Sequence, residues 1–473
     1  MNYRNIAKNF SIAVISQGVS LAMSILTSLL VPKILGVEQY GYWQLFIFYI
    51  GYCGLFQLGL DDGVYLINGG NTRETLDKKS INSQFWYGLV YQVAISVAVA
   101  AIALFGDFGP ERQFVLCCTA VFVIVQNAAY YFGYILQALD ETKTFSYSIM
   151  VERFIYLVPL AILLITRVVD FRPYVIAYIF SSVCQLIYIC SHTRDVLTAG
   201  ILDVRSGYSE VAKSIRAGSK LMLANAASTL ILGAARFVLD GTWGIKTFGE
   251  LSLALSMVNF FLNFMSQASM VLFPALRRSS EQELGRFFVH TCELMSLLFP
   301  AVYVLYFPLV TILSWWLPQY ANSFIFLAYL LPVCVFDSKM NITCTTYMKV
   351  QRREGKLLAI NATTAGIAAI SSIVSAHVFG SVYLVICSAV VAIIGRSFYT
   401  ENLIYKELGL GKQEVLAPWE IAITIMFVLV TAALNPIAAL LIYSGAYCCY
   451  LLAFKKKTRE LLGALKSALQ KDK

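Results

Sequence analysis

Residues 36–41 read Gly-Val-Glu-Gln-Tyr-Gly, and residues 244–249, 208 positions later, read Gly-Ile-Lys-Thr-Phe-Gly. Each hexapeptide is predicted to be a short turn between two long apolar segments, and these segments align at the same offset without gaps. At this offset Gln17 falls on Asn225, and Ser20 falls on Ser228. The pattern predicts a chain built from two similar halves, an organisation that is typical of membrane transporters.

A second internal similarity supports the duplication. Segment 134–143 resembles segment 347–356 at an offset of 213 residues, with a tyrosine at the start and a lysine at the end of each. Both segments hold the same rank in the order of apolar runs. The predicted domains are an N-terminal six-helix lobe with an inter-lobe linker, a second six-helix lobe, two additional spans and a basic tail: 1–205, 206–412, 413–455 and 456–473.

The composition excludes a soluble domain. Apolar residues make up 59% of the chain, charged residues 13%, and the mean hydropathy is +0.70, whereas soluble domains are about 25% charged. With this small number of polar side chains, the chain cannot cover its apolar surface in water. The sequence therefore predicts a polytopic membrane protein. No cleavable signal peptide is expected, because the first apolar run is long enough to span and no small-residue cleavage site follows it.

Fourteen apolar runs approach the length of about 20 residues that crosses a bilayer. They are 10–32, 40–66, 83–105, 113–138, 146–166, 173–191, 217–240, 249–274, 287–313, 321–347, 357–379, 381–405, 418–434 and 437–454. The predicted fold is therefore an all-α polytopic membrane protein of about 14 transmembrane helices, with two pseudo-symmetric six-helix lobes and two C-terminal helices. The last two runs are short, so twelve spans plus a re-entrant pair is the alternative.

Basic residues predict the orientation. Most of the 36 Lys and Arg residues lie in the N-terminal segment, the even-numbered loops and the tail, which places both termini in the cytoplasm. Residues 455–459 are mostly basic and precede leucines at helical spacing, which predicts an amphipathic helix on the inner leaflet. The net charge of +9 thus indicates contact with the lipid bilayer, and no nucleic-acid partner is expected.

Sites for metals, cofactors or catalysis are not expected. The eleven cysteines lie in apolar runs without a C-x-x-C pair, and the three histidines are far apart, so no metal site is predicted. The sequence has no phosphate-binding loop and no H-E-x-x-H motif. The predicted outward loops are short and leave no room for a catalytic domain, so the chain is not expected to be an enzyme.

Charges inside the spans are the candidate functional residues, because each costs at least about 2.5–3.5 kcal/mol at mid-membrane. Arg236 and Asp240 lie four residues apart, either as an ion pair on one helix face or with Arg236 in a cavity between the lobes. Asp337 and Arg396 have similar predicted depth, as a buried pair or as part of a substrate or ion pathway. Lys339 points to another helix face, towards a lumen or snorkelling inward.

Further carboxylates are candidates for ion binding or gating. Asp61 and Asp62 are adjacent near the inner end of the second span, so they cannot both face the same way. Glu293 lies about two turns into the ninth span. A position at the membrane interface is the favoured interpretation for these three, and Asp240 and Asp337 complete the set of possible ion or gating carboxylates.

Several short motifs resemble the polysaccharide-transporter family, which includes the O-antigen and exopolysaccharide repeat-unit flippases. They are Lys8-Asn9-Phe10, Ser16-Gln17-Gly18, residues 35–41, Leu58-Gly59-Leu60 and Gln137-Ala138-Leu139. The family belongs to the multidrug/oligosaccharidyl-lipid/polysaccharide exporter superfamily. Span count, loop lengths and duplicated halves agree over essentially the whole chain, although Val37 stands where the family more often has proline.

The resemblance implies two lobes forming a V that opens alternately to each side of a bacterial inner membrane. It implies transport of an undecaprenyl-diphosphate-linked oligosaccharide to the periplasmic leaflet, for O-antigen and lipopolysaccharide biosynthesis or polysaccharide export. A cationic lumen would suit such a substrate, so Arg236, Lys339 and Arg396 are assigned to the substrate pathway. Expected partners are a polysaccharide polymerase, a chain-length regulator and H⁺ or Na⁺ as the coupling ion.

Two other functions compete with this one. A multidrug or toxin cation antiporter of the same superfamily would be expected to have acidic lumen residues, but the first span has no carboxylate and three embedded charges are cations. A membrane polysaccharide polymerase or ligase would be expected to have a long periplasmic loop, which is not predicted here. The flippase is therefore the favoured function.

Overall fold

A computed structural model describes residues 3–276, 280–409, 416–455 and 457–459. Throughout these residues the regular structure is helical, and the predicted all-α polytopic fold is confirmed. Most of the predicted tail, 456 and 460–473, lies outside the described residues. The chain divides into two compact units, residues 1–227 with 245–249, and residues 228–244 with 250–473. The division falls inside one long helix, downstream of the predicted linker.

The helices of the first unit are α1 (Tyr3–Ile50), α2 (Leu60–Asn68), α3 (Lys78–Phe105), α4 (Pro110–Ala138), α5 (Thr142–Ile165), α6 (Arg172–His192), α7 (Arg194–Leu197) and the beginning of α8 (Val204–Leu276). The second unit contains the rest of α8, then α9 (Glu281–Leu298), α10 (Val302–Trp316), α11 (Ala321–Lys339), α12 (Thr346–Val350), α13 (Glu354–His377), α14 (Val382–Glu407), α15 (Ala417–Ala433) and α16 (Pro436–Ala453).

All fourteen predicted spans fall on these helices. Among the described residues, 10 helical stretches are long and apolar enough to cross a membrane, or up to 11 if the bent pair formed by α1 and α2 is one span. The number is below fourteen because the first two predicted spans, 10–32 and 40–66, together form the bent pair, because α8 contains two predicted spans, and because α15 has only 17 residues.

Both hexapeptides form the same kink. Gly36 in α1 has φ 69° and ψ 177°, and Gly244 in α8 has φ 79° and ψ −174°. This backbone region is accessible essentially to glycine alone, because a Cβ atom strains it. No atom lies within 4 Å of a Cβ built on either glycine, so the conformation itself selects glycine. The duplication predicted from the sequence thus reproduces an unusual backbone geometry.

The second pair of similar segments contains the same turn in both halves. The structural offset between the two turns differs by one residue from the offset of the sequence alignment. Asp140 and Arg352 have positive φ angles of 61° and 54°. The next N–H donates to the carbonyl five residues back, at 2.7 Å for Glu141 and 2.8 Å for Arg353, as at many helix C-termini. The turns are therefore 212 residues apart, and the sequence alignment of Glu141 with Glu354 at an offset of 213 is wrong by one position.

Close backbone approach holds the first unit together where α2 meets the beginning of α8. A Cβ on Gly63 would lie 1.8 Å from the carbonyl oxygen of Ser214, and one on Gly218 would lie 2.1 Å from that of Gly59. Only glycine fits such a crossing, which membrane helices use to bring their backbones together. Residues 245–249 also pack in this unit, since a Cβ on Gly249 would lie 2.9 Å from the Cα of Gly41.

The two C-terminal helices are integral to the second unit. Between α9 and α10 the helix is broken at Pro300, which has no N–H to donate to the carbonyl of Ser296. Three tyrosine hydroxyls of α16 donate to carbonyls around this break: Tyr443 to Pro300 (2.8 Å), Tyr447 to Leu297 (2.9 Å) and Tyr450 to Ser296 (3.0 Å). The backbone carbonyls freed by the break thus find hydrogen-bond donors inside the protein, which is necessary because lipid offers none.

Candidate functional site

A lysine between two glutamates lies in the interior of the second unit. Lys339, at the end of α11, places its Nζ 2.8 Å from Oε2 of Glu401 on α14 and 3.0 Å from Oε2 of Glu420 on α15. The same Nζ donates to the hydroxyl of Ser296 on α9 at 2.8 Å. Lys339, Glu401 and Glu420 are 1%, 4% and 0% exposed. We call these four residues the Lys339 cluster.

The local backbone sets the position of this lysine. Directly after Lys339, residues Met340–Thr345 form a π-helical turn, which widens a helix by one residue and often occurs at functional sites. The Thr343 hydroxyl donates to the Lys339 carbonyl at 2.6 Å. Lys339 itself is the last residue of α11, so ideal helical spacing correctly places it on a different face from Asp337.

Asp337 and Arg396 form the second group of buried charges. Nη2 of Arg396 donates to Oδ1 of Asp337, so the pairing interpretation from their matching depths is confirmed. Nη1 of Arg396 donates to Asn361 at 3.1 Å and to Ser228 at 3.3 Å. Asn341 donates to the other Asp337 oxygen at 3.1 Å. Both charges are therefore matched and hydrogen-bonded, as buried ions require.

The remaining predicted residues of the second unit occupy separate places. Arg236, half-buried on α8, donates to the hydroxyl of Ser252 at 2.9 Å. Asp240, one turn further along α8, is buried. Glu293 on α9 has a side chain that is 14% exposed and lies 2.6 Å from Nζ of Lys457, after α16. The structure therefore brings Lys339 to Glu401 and Glu420, and Arg396 to Asp337, rather than gathering the three predicted cations at one point.

Asp61 and Asp62 lie in the first turn of α2, in the first unit. Asp61 is buried and Asp62 is partly exposed, in agreement with the expectation that adjacent carboxylates face different ways. Their position at a helix N-terminus is electrostatically favourable for acids. No buried Lys or Arg occurs among the described residues of this unit. Asp61 and Asp62 therefore do not belong to a group of buried charges like the Lys339 cluster.

The first unit contains mainly neutral polar groups in its interior. Ser214 donates to Gln84 at 2.7 Å, and Asn127 donates to the carbonyl of Cys53 at 3.2 Å. Glu152, which is also buried, accepts a hydrogen bond of 2.8 Å from the Ser182 hydroxyl. A polar cavity of about 560 Å³ opens at the start of α3, lined by residues of both charge signs that include Asp77, Arg205, Glu210 and Lys213.

Sequence reasoning missed two members of the Lys339 cluster. Glu401 and Glu420 both fall inside predicted spans, 381–405 and 418–434, yet neither was selected as a candidate. The information was available, because a carboxylate in an apolar run needs a partner. What the sequence could not give is that the partner is the same lysine for both. No group of His, Cys, Asp or Glu arranged to hold a metal ion occurs in the described part of the chain.

Known structures share this fold, although no family model matches the sequence and no curated protein is significantly similar to it. A multidrug resistance MATE family transporter of the MOP superfamily, in an inward-facing conformation, superposes with a TM-score of 0.61 at 13% identity, covering 85% of this chain and 99% of that one. The lipid II flippase MurJ, in an inward closed conformation, superposes with a TM-score of 0.65 at 10% identity, covering 94% and 99%. The chain is thus a multi-pass membrane protein with the fold of these transporters.

Proposed function

We propose that the chain is a flippase that moves an undecaprenyl-diphosphate-linked oligosaccharide from the cytoplasmic to the periplasmic leaflet of a bacterial inner membrane by alternating access. The observation that carries the proposal is the similarity to the lipid II flippase over 94% of this chain, against 85% for the multidrug transporter. The flippase therefore accounts for a part of the chain that the multidrug transporter leaves unmatched. The motifs of residues 35–41 and 58–60 support an oligosaccharide as the cargo.

The three cations assigned to the substrate pathway differ in the groups that they contact in this structure. Lys339 and Arg396 are held by carboxylates in this structure, so either would meet a diphosphate only in a state where the phosphate replaces its carboxylate. Arg236 is half-buried and donates to a neutral hydroxyl. A guanidinium suits two phosphate oxygens at once, so Arg236 and Arg396 would each hold the diphosphate through paired hydrogen bonds.

The direct test is deletion of the gene followed by analysis of the lipid-linked sugars. We expect one undecaprenyl-linked oligosaccharide to accumulate on the cytoplasmic leaflet, and surface polysaccharide to be lost. Complementation with R236Q should restore less surface polysaccharide than R236K at equal protein level. If neutral substitutions of Arg236, Lys339 and Arg396 all leave surface polysaccharide unchanged in folded protein, their assignment to the pathway is wrong.

A cation-exporting multidrug antiporter is the second candidate. The carboxylate-rich interior of the second unit and the TM-score of 0.61 favour it. Deletion would then raise sensitivity to cationic drugs and leave lipid-linked sugars unchanged, which separates the two proposals in one strain. Under the flippase proposal we expect co-purification with a polysaccharide polymerase and its chain-length regulator, cytoplasmic termini, and coupling to H⁺ or Na⁺.

A further inference from the structure

We propose that the Lys339 cluster is a proton-binding site in which Glu401 and Glu420 share one proton. The inference concerns the charge of the cluster and does not depend on the transported substrate. It identifies H⁺, rather than Na⁺, as the ion that this interior binds.

The charges of the cluster do not balance. Lys339 provides one positive charge, whereas Glu401 and Glu420 provide two negative charges when both are ionised. The nearby charged residues form one-to-one ion pairs of their own: Arg396 with Asp337, and Lys457 with Glu293. In an interior closed to water, an unmatched carboxylate is far more costly than a protonated one. One bound proton removes the excess charge.

The hydrogen-bond donors are also exhausted. An ammonium group has three N–H bonds; that of Lys339 donates to Oε2 of Glu420 and to the Ser296 hydroxyl, and it lies 2.8 Å from Oε2 of Glu401 as an ion pair. The Ser296 hydroxyl donates in turn to Oε2 of Glu420 at 3.0 Å. Both carboxylate oxygens of Glu401 and Oε1 of Glu420 are buried without a hydrogen-bond donor in the described part of the protein, although Oε2 of Glu401 lies 2.8 Å from Nζ of Lys339. A carboxyl O–H converts one such orphaned acceptor into a neutral group.

No second cation faces the cluster from the described residues of the helices packed around it. The titratable or charged groups near it are Cys292 and Glu293 on α9, Tyr303 on α10, Asp337 on α11, Cys344 in the π-helical turn, Arg396 and Tyr405 on α14, and Tyr450 on α16. The one cation among them, Arg396, is paired with Asp337. The surrounding residues therefore supply no second positive charge for the two glutamates.

The geometry favours a proton over a metal ion. The ammonium of Lys339 already occupies the space between the carboxylates, at 2.8 and 3.0 Å from them. A sodium ion would have to share this space with a like charge and would need several additional oxygen ligands. Glu293, one helical turn before Ser296 on α9, lies outside the cluster and is paired with Lys457.

The imbalance originates from α15. Glu420 is the only buried charged residue of α15 and α16, the two helices that follow the duplicated halves. Without Glu420, Lys339 and Glu401 would form a balanced pair. We therefore assign to α15 the role of supplying the second carboxylate, which turns a structural ion pair into a group that can take up and release a proton.

Infrared spectroscopy of the full-length protein in lipid nanodiscs tests the proposal. At neutral pH we expect the C=O stretching band of a protonated carboxylic acid, which shifts in D₂O and disappears at alkaline pH. E401Q and E420Q should each lower the intensity of this band by the amount that one protonated carboxyl group contributes. E293Q, which changes a partly exposed glutamate on α9, should leave that band intensity unchanged and serves as the matched control.

Two results would overturn the proposal. If E401Q and E420Q instead remove only carboxylate bands, both glutamates are ionised in the wild-type protein. If Na⁺ at constant pH shifts their bands while pH does not, the cluster is a sodium site. The experiment uses no substrate, so a failure of the flippase proposal would leave its result unaffected, and the converse also holds.

Discussion

The interiors of the two units differ in charge although their backbones repeat. The same glycine conformation appears at Gly36 and Gly244, and the same turn appears at Asp140 and Arg352. Yet, among the residues whose burial the structure describes, the buried charges of the first unit are two carboxyl groups, and those of the second include two cations and at least three carboxylates. The fold itself does not require buried ions, since the first unit forms it largely with amides and hydroxyls.

This difference indicates where function resides. Replacing a buried ion pair by apolar residues is often neutral or stabilising, so buried pairs are weak evidence for a contribution to stability. A hypothesis follows: the second unit keeps its ions for transport, and the first unit keeps neutral groups for structure. The substitutions below test this comparison, from the largest expected effect to the smallest.

Removal of Lys339 should have the largest effect. K339M leaves Glu401 and Glu420 without a counter-charge and should lower the free energy of unfolding by about 3–5 kcal/mol, read as a large fall in Tm in detergent. K339M/E401Q/E420Q should recover most of the loss, because no buried charge is left unmatched. A triple variant as unstable as K339M would mean that lost packing, not charge, is responsible.

Arg396 should matter slightly less, because the side chain of Asp337 is 15% exposed and keeps some hydration. R396Q should cost about 3 kcal/mol, near the lower end for a broken buried pair. In a double-mutant cycle with D337N, the two effects should be non-additive by about 1–3 kcal/mol. Additive effects would show that the two side chains are energetically independent.

The two kink glycines should respond equally. G36A and G244A each force a Cβ into a glycine-only conformation and should cost about 1–3 kcal/mol, with the same fall in Tm within error. G18A is the control, since Gly18 has ordinary helical geometry and open space around its Cβ position; alanine there should be neutral or stabilising. Unequal effects at 36 and 244 would break the equivalence of the repeats.

Matched serine substitutions compare the two interiors directly. S214A removes a neutral bond to Gln84 and should cost about 1 kcal/mol. S296A removes bonds to Lys339 and Glu420 and should cost about 1.5–3 kcal/mol, as for hydrogen bonds to charged groups. Thermal unfolding of both variants gives the comparison, and a larger effect of S214A would contradict it.

The surface ion pairs of the first unit should have the smallest effect. Burial alone would raise the pKa of Asp195, but the hydrogen bond from Lys78 and the charges of Lys78 and Arg73 outweigh it and lower this pKa. A lowered pKa stabilises the fold above the ordinary aspartate range, and the stabilisation is lost as the pH falls through the folded-state pKa. D195N should therefore cost about 0.2–1 kcal/mol at neutral pH and nothing in acid, measured as Tm against pH.

Much of the fold follows from the sequence because lipid imposes simple rules. Apolar length gives the spans, and the repeated hexapeptide locates the kinks, since glycine alone tolerates them. Matching depth in two spans gives the Asp337–Arg396 pair. The Lys339 cluster does not follow in this way, because its two glutamates lie on two other helices, α14 and α15, and the sequence does not show which helices pack against α11.

The central claim is that the ions of the second unit serve transport rather than folding. The most direct test is complementation of a deletion strain with K339M/E401Q/E420Q, with lipid-linked oligosaccharide and surface polysaccharide measured at equal membrane protein level. We predict a folded protein with Tm near that of the wild type, loss of surface polysaccharide, and accumulation of the lipid-linked oligosaccharide on the cytoplasmic leaflet. Surface polysaccharide at the wild-type level in this variant would contradict the claim.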